Sequence, residues 1–356
     1  MSYRSRTFWD AVDAGILVLA AILALWRPPM GFLNRSYGAD FYPSAQRTVT
    51  TLTNRTPFAL GDVLVVVVIV LTAGIWITQL HHSPARRAWP RALLRSLALA
   101  GFLYAWFIVA WGWNYARPSL AESLGYVPDQ PKHRQLDALE NALVAALDRT
   151  ATAAHAEHSR GTADDPALQA ARARTLRAIR VDTPSVATRP KRWMFDFYFN
   201  AVGISGMFFP FTYETFVASD VLWFEFPFAI EHEWAHVAGI ARESDANFVA
   251  ALATLGSADP IVHYSGLLEV YAALPRGPSD RRLSKLVLDD YAAIRRRNQR
   301  RIVPLVSRVA WKTYDSYLKS QHVRTGLVNY SEYVRLLFGT DVGREALARA
   351  TGLRLH

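Results

Sequence analysis

The stretch AIEHEWAHVAGIARESDANF, Ala229 to Phe248, contains His232, Glu233 and His236 in the arrangement H-E-x-x-H. On a helix the two histidines lie one turn apart, so both imidazoles leave the same face and can grip one tetrahedral zinc. Glu233 stands beside the first of them, where its carboxylate can take a proton from a water whose pKa a bound metal has lowered. A catalytic zinc needs three protein ligands and one open position. Gly239 can turn the chain after His236, and Glu243 follows in the first turn of the next expected helix, with Asp245 as the alternative third ligand. Glu231 reads as a solvated neighbour. The expected centre is therefore one zinc ion on His232 and His236 with Glu243, or Asp245 in its place, as third ligand, and Glu233 as general base.

Immediately upstream, residues 194–228 are dominated by aromatic and β-branched side chains broken by Gly203, Gly206, Pro210 and Pro227. That composition predicts short strands with turns, and a strand edge there could hold an extended peptide by backbone pairing. Helical periodicity begins at Ala229, and a second helix covers roughly Arg242 to Leu255. Ile261 to Leu274 is amphipathic and too short to cross a bilayer, so it reads as a core helix; residues 284–298 and 302–320 read as two more. Residues 133–150 and 167–180 carry helical spacing on either side of a polar loop at 154–166, and 183–193 is a Pro- and Thr-containing connector. An amide hydrolase also needs a donor for the oxyanion of its tetrahedral intermediate. His263, Tyr264, Arg324 and Tyr330, all C-terminal to the motif, are the candidates, with His263 and Tyr264 closest to it in sequence.

The first 116 residues differ in kind. Val63 to Leu80 is 18 residues without a charge, and Ser96 to Tyr115 is 20, each matching the thickness of a bilayer core. Trp76, Trp106, Trp111 and Trp113 lie toward the ends of these runs, as interfacial aromatics do. A third run, Ala14 to Trp26, follows Arg4 and Arg6 but lacks the small-x-small site of a cleaved signal peptide, so it reads as an uncleaved span with Asp10 and Asp13 near the interface. Three membrane helices are expected, at about 8–26, 60–80 and 96–115. The basic segment HHSPARRAWPRALLR reads as a cytoplasmic loop carrying Arg86, Arg87, Arg91 and Arg95. It orients the N-terminus inside and everything after Arg117 outside, although Arg27, Arg35, Arg47 and Arg55 load the opposite loop.

Of the 356 residues none is cysteine, which excludes disulfides and thiolate zinc sites and leaves only His and carboxylate ligands. The net charge of +10 is scattered over loops and helices without a nucleic-acid-binding module, so a solvated, membrane-adjacent surface is expected and nucleic acid is not.

HEWAH followed by ESDAN resembles the gluzincin metallopeptidases, whose second motif is Glu-x-x-x-Asp with the Glu as third zinc ligand. By that match the ligand is Glu243, and Asn247 occupies the position of the Asp; the interval from His236 is shorter than in most gluzincins. The whole chain resembles an uncharacterised family of bacterial membrane proteins with three N-terminal spans and a zincin-like domain. The resemblance rests on TPFALGD, WGWNYARPSL, GISGMFFPFTYET, HEWAHVAGIARESDANF and YDSYLKSQHVRTGLVNYSEYVRLL. It implies a mainly α protein with a membrane domain at 1–116. A predominantly helical α+β zincin-like domain at 117–356 would carry a small β element before the motif helix. The expected protein is a zinc metallopeptidase of the bacterial cytoplasmic membrane, its catalytic domain extracytoplasmic and its substrate a polypeptide near the bilayer. The rival is a membrane scaffold or sensor with a structural or vestigial zinc site. Cleavage inside the bilayer is disfavoured, because the motif lies more than a hundred residues past the last apolar run. The oligomeric state is left open.

Overall fold

The computed structural model describes residues 3–128, 133–159, 165–181, 186–274, 276–320 and 331–353. Its architecture is mainly helical with one two-stranded sheet, and the chain divides into two compact units. The first comprises Met1–Arg117 together with Phe209–Glu214; the second comprises Pro118–Phe208 and Thr215–His356.

In the first unit, α1 (Tyr3–Leu25), α3 (Leu60–His82) and α4 (Ala85–Ala110) are each long and apolar enough to cross a membrane. Their apolar side chains are largely uncovered: Val66, Ile69 and Val70 on α3 are all exposed. Between α1 and α3 the chain is helical rather than a loop, with a π-helical stretch over Phe32–Phe41 running into α2 (Tyr42–Thr53). The first turn of α3 is held by a carboxylate from far along the chain. Leu60 N–H and Gly61 N–H donate to Glu214 at 3.0 and 2.7 Å, and a negative charge there also complements the helix dipole.

The basic segment after α3 is not a loop. Only Ser83 and Pro84 break the helix, Ser83 being driven to an extended backbone by the proline after it, and α4 begins at Ala85. Arg86, Arg87, Arg91 and Arg95 thus ride on α4 itself, and two of them pair with acids of α1: Arg91 with Asp10 at 3.9 Å and Arg95 with Asp13 at 3.7 Å. α4 also ends sooner than the expected third span. Trp111 leaves helical geometry at φ −146°, and Gly112–Ala116 tightens into a 3₁₀ turn in which Asn114 Nδ2–H takes up Trp111 O.

The second unit is built from α5 (Leu120–Ser123), α6 (His133–His158), α7 (Asp165–Ala178), α8 (Asp196–Val202), β1 (Gly206–Phe209), β2 (Glu214–Val217), α9 (Phe226–Val237), α10 (Glu243–Leu255), α11 (Pro260–Ala272), α12 (Lys285–Arg301), α13 (Pro304–Ser320), α14 (Ser331–Gly339) and α15 (Asp341–Thr351). The tip of the β1–β2 hairpin belongs to the first unit. The core gathers around α10, whose Ala246, Ala250, Ala251 and Ala253 are small enough to let neighbouring helices close in. α11 approaches closely: a Cβ on Gly266 would lie 2.3 Å from Thr254 Oγ1. Leu139, Leu143 and Leu147, spaced four apart, bring α6 onto the same core.

Two sequence expectations change here. α6 runs to His158 instead of yielding to a loop at 154, because Ala151 and Ala154 continue its buried stripe. Residues 196–202, expected as strand, form α8; Phe199 and Val202 pack inward at helical spacing and Gly203, at φ +83°, ends the turn. Register in the hairpin is set by Ala218 N–H donating to Ser205 O at 2.9 Å. By strand alternation, Gly206 and Phe208 then direct their backbone groups to the outer edge of β1, away from β2.

Candidate metal centre

Pro227 starts the first turn of α9, where its missing N–H costs nothing, and the helix carries His232 and His236 on successive turns with Glu233 next to the first. Gly239 follows at φ +89°, a conformation a Cβ would oppose, and reverses the chain within a few residues. The reversal has two results. It delivers Ile240 O to His236 Nδ1 at 2.7 Å, and it starts α10 at Glu243, facing α9.

The donor atoms converge. His232 Nε2 and His236 Nε2 are 3.1 Å apart, and Glu243 Oε2 lies 3.1 and 3.6 Å from them. A tetrahedral ion with metal–ligand bonds of about 2.05 Å has ligand–ligand edges of about 3.3 Å, so the spacing is that of three corners of one tetrahedron. The outer ring nitrogens fix the tautomers. His236 Nδ1–H donates to Ile240 O and His232 Nδ1–H donates to Asn247 Oδ1 at 2.8 Å, Asn247 lying one turn beyond Glu243 on α10. Both Nε2 atoms of the neutral rings therefore aim lone pairs at each other and at a carboxylate, a repulsion that only a proton or a metal cation between them relieves. Burial opposes a charged His236, but the Glu243 carboxylate outweighs it and pushes the imidazole up to about 9. Despite its own burial, Glu243 is held well below the usual carboxylate range by His236 and His232. The residues present fit a divalent cation.

Glu233 is directed at the sheet. It takes a hydrogen bond from Phe208 N–H on the outer edge of β1 and packs against Gly206, where a Cβ would come within 2.9 Å of its Cγ. Burial raises its pKa, the two histidines work against that rise, and Glu243 adds to it. A base less acidic than a free carboxylate is better matched to neutral pH.

The other sequence candidates are dispersed. Tyr264 donates its hydroxyl to Asp290 Oδ2 at 2.6 Å, and the same oxygen pairs with His155 Nε2 at 2.8 Å, a buried polar network under α11. His263 sits against the carbonyls of Thr254 and Leu255 at the far end of α10, about 18 Å along the helix from Glu243 at 1.5 Å per residue. The structure does not bring either beside the three donors. Arg324 and Tyr330 lie outside the described residues. Asp245, the alternative ligand, turns from the histidines and accepts Leu120 N–H at 3.0 Å, its carboxyl pushed up to about 6 by burial. Glu231 is not solvated: α9 is buried on both sides, and Glu231 is fully enclosed, its carboxyl pushed up to about 8 despite Arg172 nearby.

Two residues, one bonded to the centre and one within electrostatic reach of it, carry no local sequence signal. Tyr314, on α13, donates its hydroxyl to Glu243 Oε1 at 2.5 Å. Glu269, on α11, feels His232, Glu225 and Arg297, and burial followed by Glu225 pushes its carboxyl up to about 7. Tyr314 is 71 residues from Glu243, and only a spacing pattern spanning that interval could have found it.

Residues 37–338 match the model of a family described as a protein of unknown function, DUF3810, and the chain belongs to that family. No curated protein and no solved structure matches it.

Proposed function

We propose that this chain is a membrane-anchored zinc metallopeptidase whose second unit is a zincin-like catalytic domain. The observation that carries the reading is the triangle of His232 Nε2, His236 Nε2 and Glu243 Oε2, with tetrahedral edges and with both outer imidazole nitrogens already committed. A zinc ion held there would supply Lewis acidity and lower the pKa of a bound water. Glu233 takes the proton of the attacking water and hands it to the leaving amine. The outer edge of β1, to which Glu233 is tied through Phe208 N–H, offers backbone pairing to an extended polypeptide. Tyr314 holds the second oxygen of Glu243 and is the described hydroxyl at the centre that can turn to a developing oxyanion, the role the sequence suggested for Tyr264 or His263. The scaffold or sensor reading is disfavoured on ligand count. A structural zinc site closes with four protein ligands, whereas among the described residues three converge.

The three apolar helices suit a multi-pass protein of the bacterial cytoplasmic membrane. We place the catalytic unit outside, on the basic residues at the start of α4. The test of the reaction is zinc content and peptide cleavage by the purified full chain. Glu233→Gln is expected to keep one zinc per chain and lose cleavage, and His236→Ala to lose the zinc. Cleavage by Glu233→Gln at the wild-type rate refutes the assignment.

A further inference from the structure

Among the described residues, the second unit carries an apolar surface that no packing covers. α13 is seated through Ser307 Oγ–H and Trp311 Nε1–H, both donating to Val202 O at 2.9 and 3.2 Å. At 100° per residue, those two side chains define the inward face, and Leu305, Val306 and Val309 point away from it. Leu305 is 69% exposed and Val309 57%. They form one wall of an open groove of about 720 Å³ whose other wall includes Tyr198 of α8, next to Phe197 at 68% exposure. Arg308 and Lys312, one turn apart and both exposed, flank Leu305, and the exposed Arg300 and Arg301 close α12 just before α13 begins. Single exposed apolar residues are ordinary; an apolar stripe along a helix with a basic border is the pattern of a helix lying in a membrane interface.

We propose that the α8–α13 face docks on the surface of an anionic lipid bilayer, with Phe197, Leu305 and Val309 among the headgroups and Arg308 and Lys312 on the phosphates. Charge complementarity favours this occupant, since basic side chains border the apolar stripe and anionic headgroups attract them. The same chain carries three helices able to cross a membrane, so the unit is tethered where such a surface is present. Tyr314 lines the groove and also donates to Glu243, so docking brings the lipid surface to the mouth of the metal centre. The inference stands without the peptidase reading, because nothing in it requires a metal.

The chain has no cysteine, so single labels are clean. The full-length protein is reconstituted in vesicles of phosphatidylcholine with and without phosphatidylglycerol, carrying an environment-sensitive fluorophore at Leu305→Cys or Val309→Cys. A control label is placed at Lys285→Cys, whose side chain is 87% exposed. In phosphatidylglycerol vesicles, nitroxide-bearing lipid is expected to quench the first two labels, and iodide to quench them about three-fold less than the control. Adding Arg308→Glu with Lys312→Glu is expected to weaken the lipid quenching. Equal iodide access at all three positions with no lipid quenching overturns the proposal. Shielding from iodide without lipid quenching also overturns it, and assigns the face to a polypeptide instead. Repeating the measurement on metal-stripped protein separates this result from any failure of the zinc site.

Discussion

Replacing Asn247 with Ala removes one hydrogen bond at the candidate metal centre and none of its three donor atoms. Asn247 Oδ1 accepts His232 Nδ1–H at 2.8 Å, which fixes the tautomer and turns Nε2 toward His236 and Glu243. In the variant, Nδ1–H loses its partner in a partly buried site. An unsatisfied donor of this kind costs about 1–3 kcal/mol, and the ring also gains freedom to rotate or change tautomer. At about 1.4 kcal/mol per factor of ten, zinc affinity is expected to fall roughly 10–100-fold, the range for loss of a hydrogen bond behind a metal ligand. The assay is competition for zinc against a chromophoric chelator at fixed pH, on the full chain in detergent. Asn247→Asp is the companion variant: it preserves the acceptor and adds a charge, so its affinity should equal or exceed that of the wild type. An Asn247→Ala protein that binds zinc within two-fold of the wild type refutes the view that His232 is aimed by this bond.

Other consequences follow from the same geometry. His236 is raised from its ordinary 6.5 to about 9 in the metal-free fold. Its protonation therefore stabilises that fold fully below pH 6.5, and the contribution is lost as pH rises through 9. Zinc must displace this proton, so apparent affinity should climb about ten-fold per pH unit and level near pH 9; a plateau already at 6.5 contradicts the pairing with Glu243. Gly239→Ala forces a Cβ into φ +89° and should lower stability by about 1–2 kcal/mol, read by thermal unfolding. It should also weaken zinc binding, because Ile240 O is displaced from His236. Tyr314→Phe should retain zinc while peptide cleavage falls on the order of a hundred-fold if the hydroxyl serves the oxyanion; an unchanged kcat assigns it to orienting Glu243 alone.

Much of this protein was legible in its residues because the signals are local. Charge-free runs of membrane length need no partner to be recognised, and two histidines four apart share a helix face wherever that helix sits. Gly239 also announced a reversal after His236 that brought Glu243 or Asp245 within reach, and the structure chose between them by turning Asp245 to Leu120 N–H. Where sequence reasoning failed, a long-range contact had decided the outcome. Arg91 and Arg95 read as loop charges, but they ride on α4, where Asp10 and Asp13 of α1 face them. Residues 196–202 have strand-like composition, but burial of Phe199 and Val202 on one side selects a helix. Glu231 has the charge of a surface residue and the position of a core one, because α9 is covered on both faces.

What the sequence alone determined is therefore the set of groups with chemistry to offer: three apolar runs of membrane length, a motif helix, and a third carboxylate within reach. Only the tertiary structure decided which of them meet. It moved Tyr264 into a buried network with Asp290 and His155, and set Tyr314 from a distant helix against Glu243. The physical reason is that spacing fixes direction only within one element, whereas proximity between elements is set by packing, and here by small residues on α10 and a left-handed glycine after α9.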